Sequence, residues 1–175
     1  GMVLDLDDNP EVMRGELNKL PGETAQHWRQ FQNFLTYARG QYELVNDGYF
    51  AKGLDNLWEF IRHYGWRKLL FKMDHRNRMS GSIANYFDSD YLRRIFEYFI
   101  KYVGSSALDS PGYMNMMPVI QFDYGLWYVK GGMYNLARGL GRLVEDLGIR
   151  VRLGQEVCTI DRNGGRMVSG VTLEG

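Results

Sequence analysis

The sequence predicts an α+β fold, a mostly helical layer on a small antiparallel sheet, followed by one more helix and three strands. Two observations carry this prediction. Apolar residues recur at steps of three and four over most of residues 10–147, which is the spacing of helix faces that pack on a core. From residue 149 the pattern changes to short alternating runs, and Asn163-Gly164-Gly165 between two of them is typical of a hairpin turn.

The composition is that of an ordinary globular protein. Hydrophobic residues make up 45% and charged residues 24%, and 21 Lys+Arg balance 21 Asp+Glu. A balanced charge provides no electrostatic footprint for nucleic acid, so we expect no such partner. The 12 Tyr, 9 Phe, 4 Trp and 9 Met have two interpretations. They form a bulky core, which composition alone favours, or they wall a site for a large apolar ligand.

Cys158 is the one cysteine, so no disulfide can form within the chain and a reducing, cytoplasmic setting is expected. Its alternating neighbours predict a small core residue rather than a nucleophile. The apolar runs are shorter than the roughly 20 residues that a transmembrane helix needs.

The N-terminal residues predict a strand and a capped helix. Met2–Leu6 alternates like a strand, and Asn9 followed by Pro10 is a typical helix start. The helix is expected to reach about Leu20 and to bury the apolar residues Met13, Leu17 and Leu20.

Two further helices follow. The second has one apolar stripe along its length, formed by Trp28, Phe31, Leu35, Ala38, Tyr42 and Val45. Asn46-Asp47-Gly48 is predicted to end it. A third helix, marked by Leu54, Leu57, Trp58 and Ile61, is expected to end at Gly65 before a short segment at Trp66–Phe71.

Residues 72–82, KMDHRNRMSGS, are predicted to form a polar loop. A solvated connection is the favoured interpretation, and a weak anion contact by Lys72, Arg76 and Arg78 stays open. A metal site at Asp74-His75 is not expected, because adjacent residues seldom converge on one ion.

Asp88 or Ser89 is predicted to cap a helix that runs to about Val103 and ends at Gly104. Apolar side chains surround most of this helix, which predicts burial on nearly all sides. Such a helix lies in the middle of the helical layer or lines an apolar tunnel.

Residues 104–122 read as an ordered loop with one helical turn around Met114–Met117, and Phe122–Tyr128 alternates like a strand. A leucine-striped helix follows Gly131-Gly132 and ends at Gly148. The remaining strands are predicted at Ile149–Leu153, Glu156–Asp161 and Met167–Leu173.

Two glycine pairs are candidates for a phosphate-binding loop. Gly139 and Gly141 have the first spacing of a dinucleotide fingerprint, but Val144 occupies the third glycine position and the pair lies inside a helix. These glycines are predicted to let a neighbouring element approach. Gly131-Gly132 lies between a strand and a helix, where it forms a tight turn, presents amides to an anion or carbonyl, or does both.

The three histidines, His27, His63 and His75, share no periodicity. The sequence therefore contains no recognisable nucleophilic triad or metal ligand set.

Residues 125–175 resemble the middle of phytoene-desaturase-type flavoproteins, which oxidise carotenoid precursors. The motifs that carry the resemblance are GLWYVKGGM at 125–133, LARGLGRLVEDLG at 136–148, IRVRLGQEVCTI at 149–160 and GVTLEG at 170–175. Upstream, Tyr102–Ser106 and Met117-Pro118 are similar to the helix and loop of that family. Val129 departs from the pattern, since many relatives carry Pro there.

The resemblance implies that residues 2–130 form most of a substrate-binding domain and that residues 131–175 belong to a partial FAD-binding domain. It implies FAD as the cofactor, with Val157 offering backbone groups to the adenine, flanked by Glu156, and with Gly131 and Gly132 near the cofactor. The substrate would be a long apolar isoprenoid that loses a hydride to the flavin, a reaction that needs no protein nucleophile or metal. Side chains expected to line its site are Phe96, Phe99, Tyr124, Trp127 and Tyr128.

The motifs that open and close such flavoproteins, above all the GxGxxG turn, do not occur in this sequence. We therefore expect an inactive middle fragment of a longer protein, with uncovered strand edges around Val151–Val171 that invite self-association. A peripheral membrane contact of the parent is compatible with a substrate that dissolves in lipid. The alternatives are a retinol-saturase-like or amine-oxidase-like flavoprotein, and a stand-alone helical module that binds a lipid or a protein.

Overall fold

The computed structural model describes residues 3–54, 56–165 and 167–174. The chain divides into two compact units, Gly1–Leu126 (unit 1) and Trp127–Gly175 (unit 2). Unit 1 is helical, and unit 2 contains a helix and a two-stranded antiparallel sheet. The α+β class is thus confirmed at the coarse level. A sheet beneath the helical layer is not seen in the described part of unit 1, where an isolated bridge joins Arg78 and Pro111.

The helices of unit 1 are α1 (Pro10–Leu17), α2 (Thr24–Val45), α3 (Leu57–Tyr64), α4 (Trp66–Lys72), α5 (Met79–Ala84), α6 (Asp90–Tyr98) and α7 (Met117–Tyr124). Helix α2 ends at Val45, as predicted, with Asn46 as its C-cap, but the backbone continues into a π-helical turn at Asn46–Phe50 that the sequence did not predict. Two 3₁₀ segments, Phe99–Val103 and Gly112–Met116, follow α6 and precede α7.

Helix α1 begins where the sequence predicts. The Asn9 side chain accepts a hydrogen bond from the Glu11 N–H at 3.0 Å, and Pro10 occupies the first turn, where it sacrifices no helical bond. The helix ends at Leu17 rather than Leu20, yet Met13, Leu17 and Leu20 are all buried as predicted.

The core of unit 1 is aromatic and centres on Phe34, which is fully buried. Its ring lies 4.6 Å from that of Phe96 and 5.0 Å from that of Phe87. Phe87 and Phe96 stack at 4.9 Å with their planes 5° apart. Aromatic pairs at these separations stabilise a core beyond their buried area. The predicted stripe of α2 supplies one wall of this core through Phe31, Leu35 and Ala38.

Several predicted element boundaries in unit 1 are wrong. Residues 3–6 form no strand, and Met2 lies outside the described residues. The alternating residues Phe122–Tyr128 do not form a strand, because helix α7 continues to Tyr124. Pro118 lies in the first turn of this helix, and Gly125 ends it with a φ of 78°. Of the polar segment 72–82, only residues 73–78 form a loop, because Lys72 ends α4 and α5 begins at the buried Met79.

Helix α6 begins after Ser89, and the 3₁₀ segment that continues it ends at Gly104, as predicted. The helix is not, however, buried on nearly all sides. Leu92 and Phe96 face the core, whereas Tyr91, Tyr98 and Tyr102 are more than half exposed. Tyrosine combines an apolar ring with a hydroxyl that water can solvate, so a tyrosine-rich face tolerates exposure.

Unit 2 contains α8 (Tyr134–Asp146), β1 (Val157–Asn163) and β2 (Met167–Leu173). Gly148 ends the leucine helix with a φ of 66°, and the predicted hairpin at Asn163-Gly164-Gly165 joins β1 to β2. The predicted strand at Ile149–Leu153 does not form, because a strand needs a hydrogen-bonding neighbour and no described strand pairs with it.

No described residue of unit 2 is buried. The four leucines of the α8 stripe are at least half exposed, and Cys158 is exposed rather than a core residue. The apolar stripe of α8 is therefore a face that needs a covering layer, and the described residues do not provide one. No helix in the described parts of either unit is long and apolar enough to cross a membrane.

Candidate functional site

An apolar groove of about 430 Å³ lies on unit 1. It is lined by Leu6, Arg94, Ile95, Tyr98, Phe99, Tyr102, Gln121 and Leu126. Most of these side chains come from α6 and the 3₁₀ segment after it, where Ile95, Tyr98 and Tyr102 follow each other at helical spacing. A groove of this character can receive an apolar chain and offers few polar groups that would compete with it.

Phe99 and Phe96, both predicted to line the substrate, occupy different positions. Phe99 borders the groove although it is only 3% exposed. Phe96 has no exposed surface and stacks on Phe99 at 5.9 Å with an interplanar angle of 13°. In the described structure, Phe96 therefore supports the groove from beneath.

The other three predicted lining residues are exposed. Tyr124 is 56% exposed and its ring lies 5.5 Å from that of Tyr42. A side-chain hydrogen bond between these tyrosines raises the pKa of Tyr42. Trp127 and Tyr128 belong to unit 2 and are 91% and 80% exposed. Their role at a substrate stays a prediction.

Gly131 and Gly132 form a tight turn. Their φ values are 82° and 93°, a region that residues with a Cβ rarely adopt. A Cβ on Gly131 would lie 2.3 Å from the Asn135 Nδ2, and this nitrogen donates to the Lys130 carbonyl at 2.9 Å. The conformation of the turn is by itself a sufficient reason for both glycines. Contact of these glycines with a cofactor stays a prediction.

Glu156 and Val157 lie at the start of β1. The Glu174 N–H donates to the Glu156 carbonyl at 2.9 Å, so the backbone of Glu156 faces β2. Because successive strand residues direct their backbone groups to opposite sides, the N–H and C=O of Val157 point away from β2. In the described structure no strand pairs with that edge.

The hydrogen-bonding groups of the open edge at Val157 are of the kind that the adenine of FAD needs. One backbone N–H and one backbone C=O, side by side on an unpaired edge, complement the ring nitrogen and the amino group of adenine. The remaining contacts of such a cofactor have no counterpart here, because no described residue of unit 2 is buried and none can enclose a flavin.

A polar cluster that sequence reasoning missed lies at Asp74. Its carboxylate accepts hydrogen bonds from the Tyr37 hydroxyl at 2.6 Å, the Ser82 hydroxyl at 2.5 Å and the Asn77 amide at 2.9 Å. Burial opposes the charged carboxylate, but these hydrogen bonds outweigh it and lower the pKa of Asp74. Burial, followed by the bond to Asp74, raises the pKa of Tyr37.

This cluster joins the loop after α4 to α2 and α5. The Tyr113 N–H donates to the Asp74 carbonyl at 2.7 Å, which adds the 3₁₀ segment Gly112–Met116, so the role of the cluster is structural. No group of metal-ligating side chains occurs among the described residues, and the carboxylate of Asp74 is already used by three donors. Arg78, one of the three residues for which an anion contact was left open, donates instead to the Asp109 carbonyl. No short-range spacing in the sequence predicts this cluster, because Tyr37 and Asp74 lie 37 residues apart.

A second, larger cavity of about 570 Å³ adjoins α2, α3 and α4. Charged side chains, among them Asp47, Lys68 and Lys72, contribute to its lining. It therefore suits a long hydrocarbon less well than the apolar groove.

Comparison with known proteins agrees with the resemblance. The sequence profile of a family described as flavin containing amine oxidoreductase matches residues 16–175. A 4,4'-diapolycopene oxygenase from Methylomonas sp is 44% identical over 167 residues, covering 95% of this chain and 33% of the relative. A 4,4'-diaponeurosporene oxygenase from Staphylococcus haemolyticus is 37% identical, covering 92% and 32%. The Staphylococcus aureus protein of the same name is 36% identical, covering 87% and 32%. The chain thus spans about a third of the length of these curated relatives.

Proposed function

The chain belongs to the family of flavin-containing amine oxidoreductases, and from that premise we propose that the whole protein is an FAD-dependent oxidoreductase acting on a carotenoid or related isoprenoid polyene. The observation that carries the proposal is a sequence identity of 36–44%, over nearly the whole chain, to relatives whose names each contain a carotenoid. The apolar groove of unit 1 supports it, because it matches the surface of a hydrocarbon chain.

Two oxidations are compatible with these observations. The motifs at residues 102–175 favour desaturation, in which the polyene loses a hydride and a proton. The names of the relatives favour oxygenation, in which the polyene gains oxygen. In the first reaction, bound FAD supplies the two-electron acceptor. The amine-oxidase-like alternative shares the family, but the names of the three relatives described above contain carotenoids and not amines.

In this proposal the two units have separate tasks. The groove residues of unit 1 bind and orient the polyene and exclude water from it, while the Val157 edge of unit 2 binds the adenine end of FAD. Arg94 and Gln121 at the groove offer hydrogen-bond donors to an oxygen on the substrate.

Product analysis in a carotenoid-producing bacterium tests the reaction. The complete reading frame that contains this chain is expressed there, and the pigments are separated and weighed by mass spectrometry. Loss of two hydrogens per step indicates desaturation and gain of oxygen indicates oxygenation. Unchanged pigment from a protein that carries FAD would contradict the proposal.

A pair of substitutions tests the cofactor contact in the whole protein. Val157→Pro removes the backbone N–H and is expected to lower FAD occupancy, whereas Val157→Ala keeps that N–H and retains the cofactor. Equal occupancy in both variants would mean that the Val157 N–H does not bind FAD. The 175-residue chain itself is expected to show no stoichiometric binding when titrated with FAD.

The groove is tested separately. Ile95→Asp places a charge among the apolar lining residues and is expected to lower turnover without lowering FAD occupancy. Arg29→Asp, on an exposed position of α2, serves as the matched control. Equal turnover in the two variants would place the substrate elsewhere.

A further inference from the structure

We propose that Arg39 of α2 and Asp123 of α7 are positioning residues for the oxidation, because their ion pair fixes a short segment that lines the apolar groove and leads out of unit 1. The inference rests on the proposed function, since it takes the groove to hold the polyene. We call residues 121–126 the exit segment. It consists of the last turn of α7 and the two residues that follow, which are the last of unit 1.

The exit segment connects the groove to the core. Gln121 and Leu126, its first and last residues, line the groove. Phe122 is buried, and its ring lies 5.4 Å from that of Phe31 in α2. Gly125 follows the helix with a φ of 78°, which turns the chain away from the helix axis. The lining of the groove therefore depends on where the last turn of α7 lies.

Two side-chain contacts from α2 hold this turn. Arg39 Nε donates to one carboxylate oxygen of Asp123 at 2.8 Å, and Arg39 Nη2 donates to the other at 2.6 Å. Tyr42, one helical turn further along α2, hydrogen-bonds to Tyr124. Two successive residues of the exit segment are thus attached to one face of α2. A bidentate arginine–carboxylate pair fixes direction as well as distance, because both donors must align with both oxygens.

The ion pair is better suited to set a position than to stabilise the fold. The side chains of Arg39 and Asp123 are 45% and 30% exposed, and an ion pair open to water adds little to stability. Asp123 also lies in the last turn of α7, where the helix dipole disfavours a carboxylate, and none of residues 121–124 is basic. The compensating charge comes from α2, so the carboxylate favours contact between the two helices.

Loss of the pair should let the exit segment shift while the fold stays intact. Chemistry on a bound substrate depends steeply on placement, since a displacement of about 1 Å can lower the rate by about 100-fold. Lysine at position 39 keeps the charge but donates from one nitrogen, so it does not reproduce the paired geometry. We therefore expect the rate to decrease from wild type to Arg39→Lys and further to Arg39→Gln.

The test measures the rate of product formation per bound FAD at saturating polyene in the full-length holoenzyme. Dividing by bound FAD removes any loss of folded protein from the comparison. Arg39→Gln is expected to be at least about tenfold slower than wild type. Arg39→Asp combined with Asp123→Arg reverses the pair and places a cation at the end of α7, so it is expected to recover the rate to within about threefold of wild type.

The matched control is Lys19→Gln, which breaks an ion pair of the same 2.6 Å separation near the end of α1 and should leave the rate unchanged. Amide hydrogen exchange gives a readout that does not depend on activity. Peptides that cover residues 121–126 should exchange at least about threefold faster in Arg39→Gln than in wild type or Lys19→Gln. The reversed pair should bring exchange back towards the wild-type rate.

Equal rates per bound FAD in Arg39→Gln and Lys19→Gln would overturn the proposal, even if exchange becomes faster. A reversed pair that is no faster than Arg39→Gln would also overturn it, because the effect would then belong to the arginine and not to the pair. A wild-type holoenzyme that carries FAD and forms no product would contradict the proposed function instead. The exchange measurement then decides by itself whether the pair fixes the exit segment.

Discussion

Helix α2 of unit 1 and helix α8 of unit 2 have equally regular apolar stripes, but only the stripe of α2 is buried. Phe31, Leu35 and Ala38 of α2 are at most 6% exposed, whereas Leu136 and Leu143 of α8 are about half exposed. Unit 1 brings several helices around one aromatic cluster, while unit 2 has one helix and one hairpin. An apolar stripe therefore identifies a helix face that needs a partner, and it does not show that the partner is present.

The comparison is tested most strongly by removing one large apolar side chain from each unit. Phe96→Ala is expected to lower the free energy of unfolding of the chain by about 3–5 kcal/mol, because Phe96 is fully buried between other rings. Leu140→Ala, at a position 56% exposed, is expected to cost less than about 0.5 kcal/mol. Urea unfolding followed by circular dichroism measures both. A large loss in Leu140→Ala would show that α8 is covered in the isolated chain.

The polar cluster of unit 1 gives the next largest effect. Asp74→Asn is expected to lower the free energy of unfolding by about 1.5–3 kcal/mol at neutral pH, because three donors lose a charged acceptor. Since the folded-state pKa of Asp74 is lowered, its contribution is present above the unfolded pKa of about 4 and is lost as pH falls through the folded pKa.

Urea unfolding between neutral and acidic pH measures this dependence. Wild type and Asp74→Asn should converge in stability on the acidic side. Asp109→Asn is the control, because this exposed position enters the structure through its backbone carbonyl. A constant difference between wild type and Asp74→Asn at all pH values would contradict the role of the ionised carboxylate.

Gly112 of unit 1 and Gly139 of unit 2 differ in how closely other atoms surround them. A Cβ on Gly112 would lie 2.4 Å from an Asp74 carboxylate oxygen, so Gly112→Ala is expected to destabilise by about 1–3 kcal/mol. Gly139 in α8 has no atom within 4 Å of its Cβ position, so Gly139→Ala is expected to stabilise the chain by up to about 1 kcal/mol. Thermal unfolding of both variants measures the two signs.

In the whole protein, Gly139→Ala should instead destabilise if a neighbouring element packs on this glycine, as its sequence position predicts. Stabilisation in both contexts would show that Gly139 permits no close approach.

The smallest effect concerns association between copies. The exposed side chains of Ile160 and Val168 and the unpaired edge of β1 are expected to promote weak, concentration-dependent association of the 175-residue chain. Ile160→Lys should reduce it, while Lys19→Ala in unit 1 should not. Light scattering that shows a monomer at high concentration would contradict this expectation.

Local signals in the sequence predicted the elements that depend on local chemistry. The Asn9 cap, the glycine stops at Gly65, Gly104 and Gly148, and the hairpin turn all lie where they were expected. Predicted strands at residues 3–6, 122–128 and 149–153 failed, because strands require neighbours that alternation cannot supply. Of the candidate site residues, Phe99 borders the groove. Gln121 and Leu126 were not recognised there, because Gln121 was assigned to a loop and Leu126 to a strand.

The amino-acid sequence alone identifies the family, the Asn9 cap, the glycine stops and the apolar faces, because each of these depends on residue identity and short-range geometry. Only the tertiary structure decided which apolar faces are covered, and it alone joined Tyr37 to Asp74 across 37 residues. It also shows which aromatic side chains of unit 1 are exposed: Trp and Phe between residues 50 and 71, and tyrosines after that. Burial and long-range hydrogen bonds are properties of how elements pack, so no spacing along the chain encodes them directly.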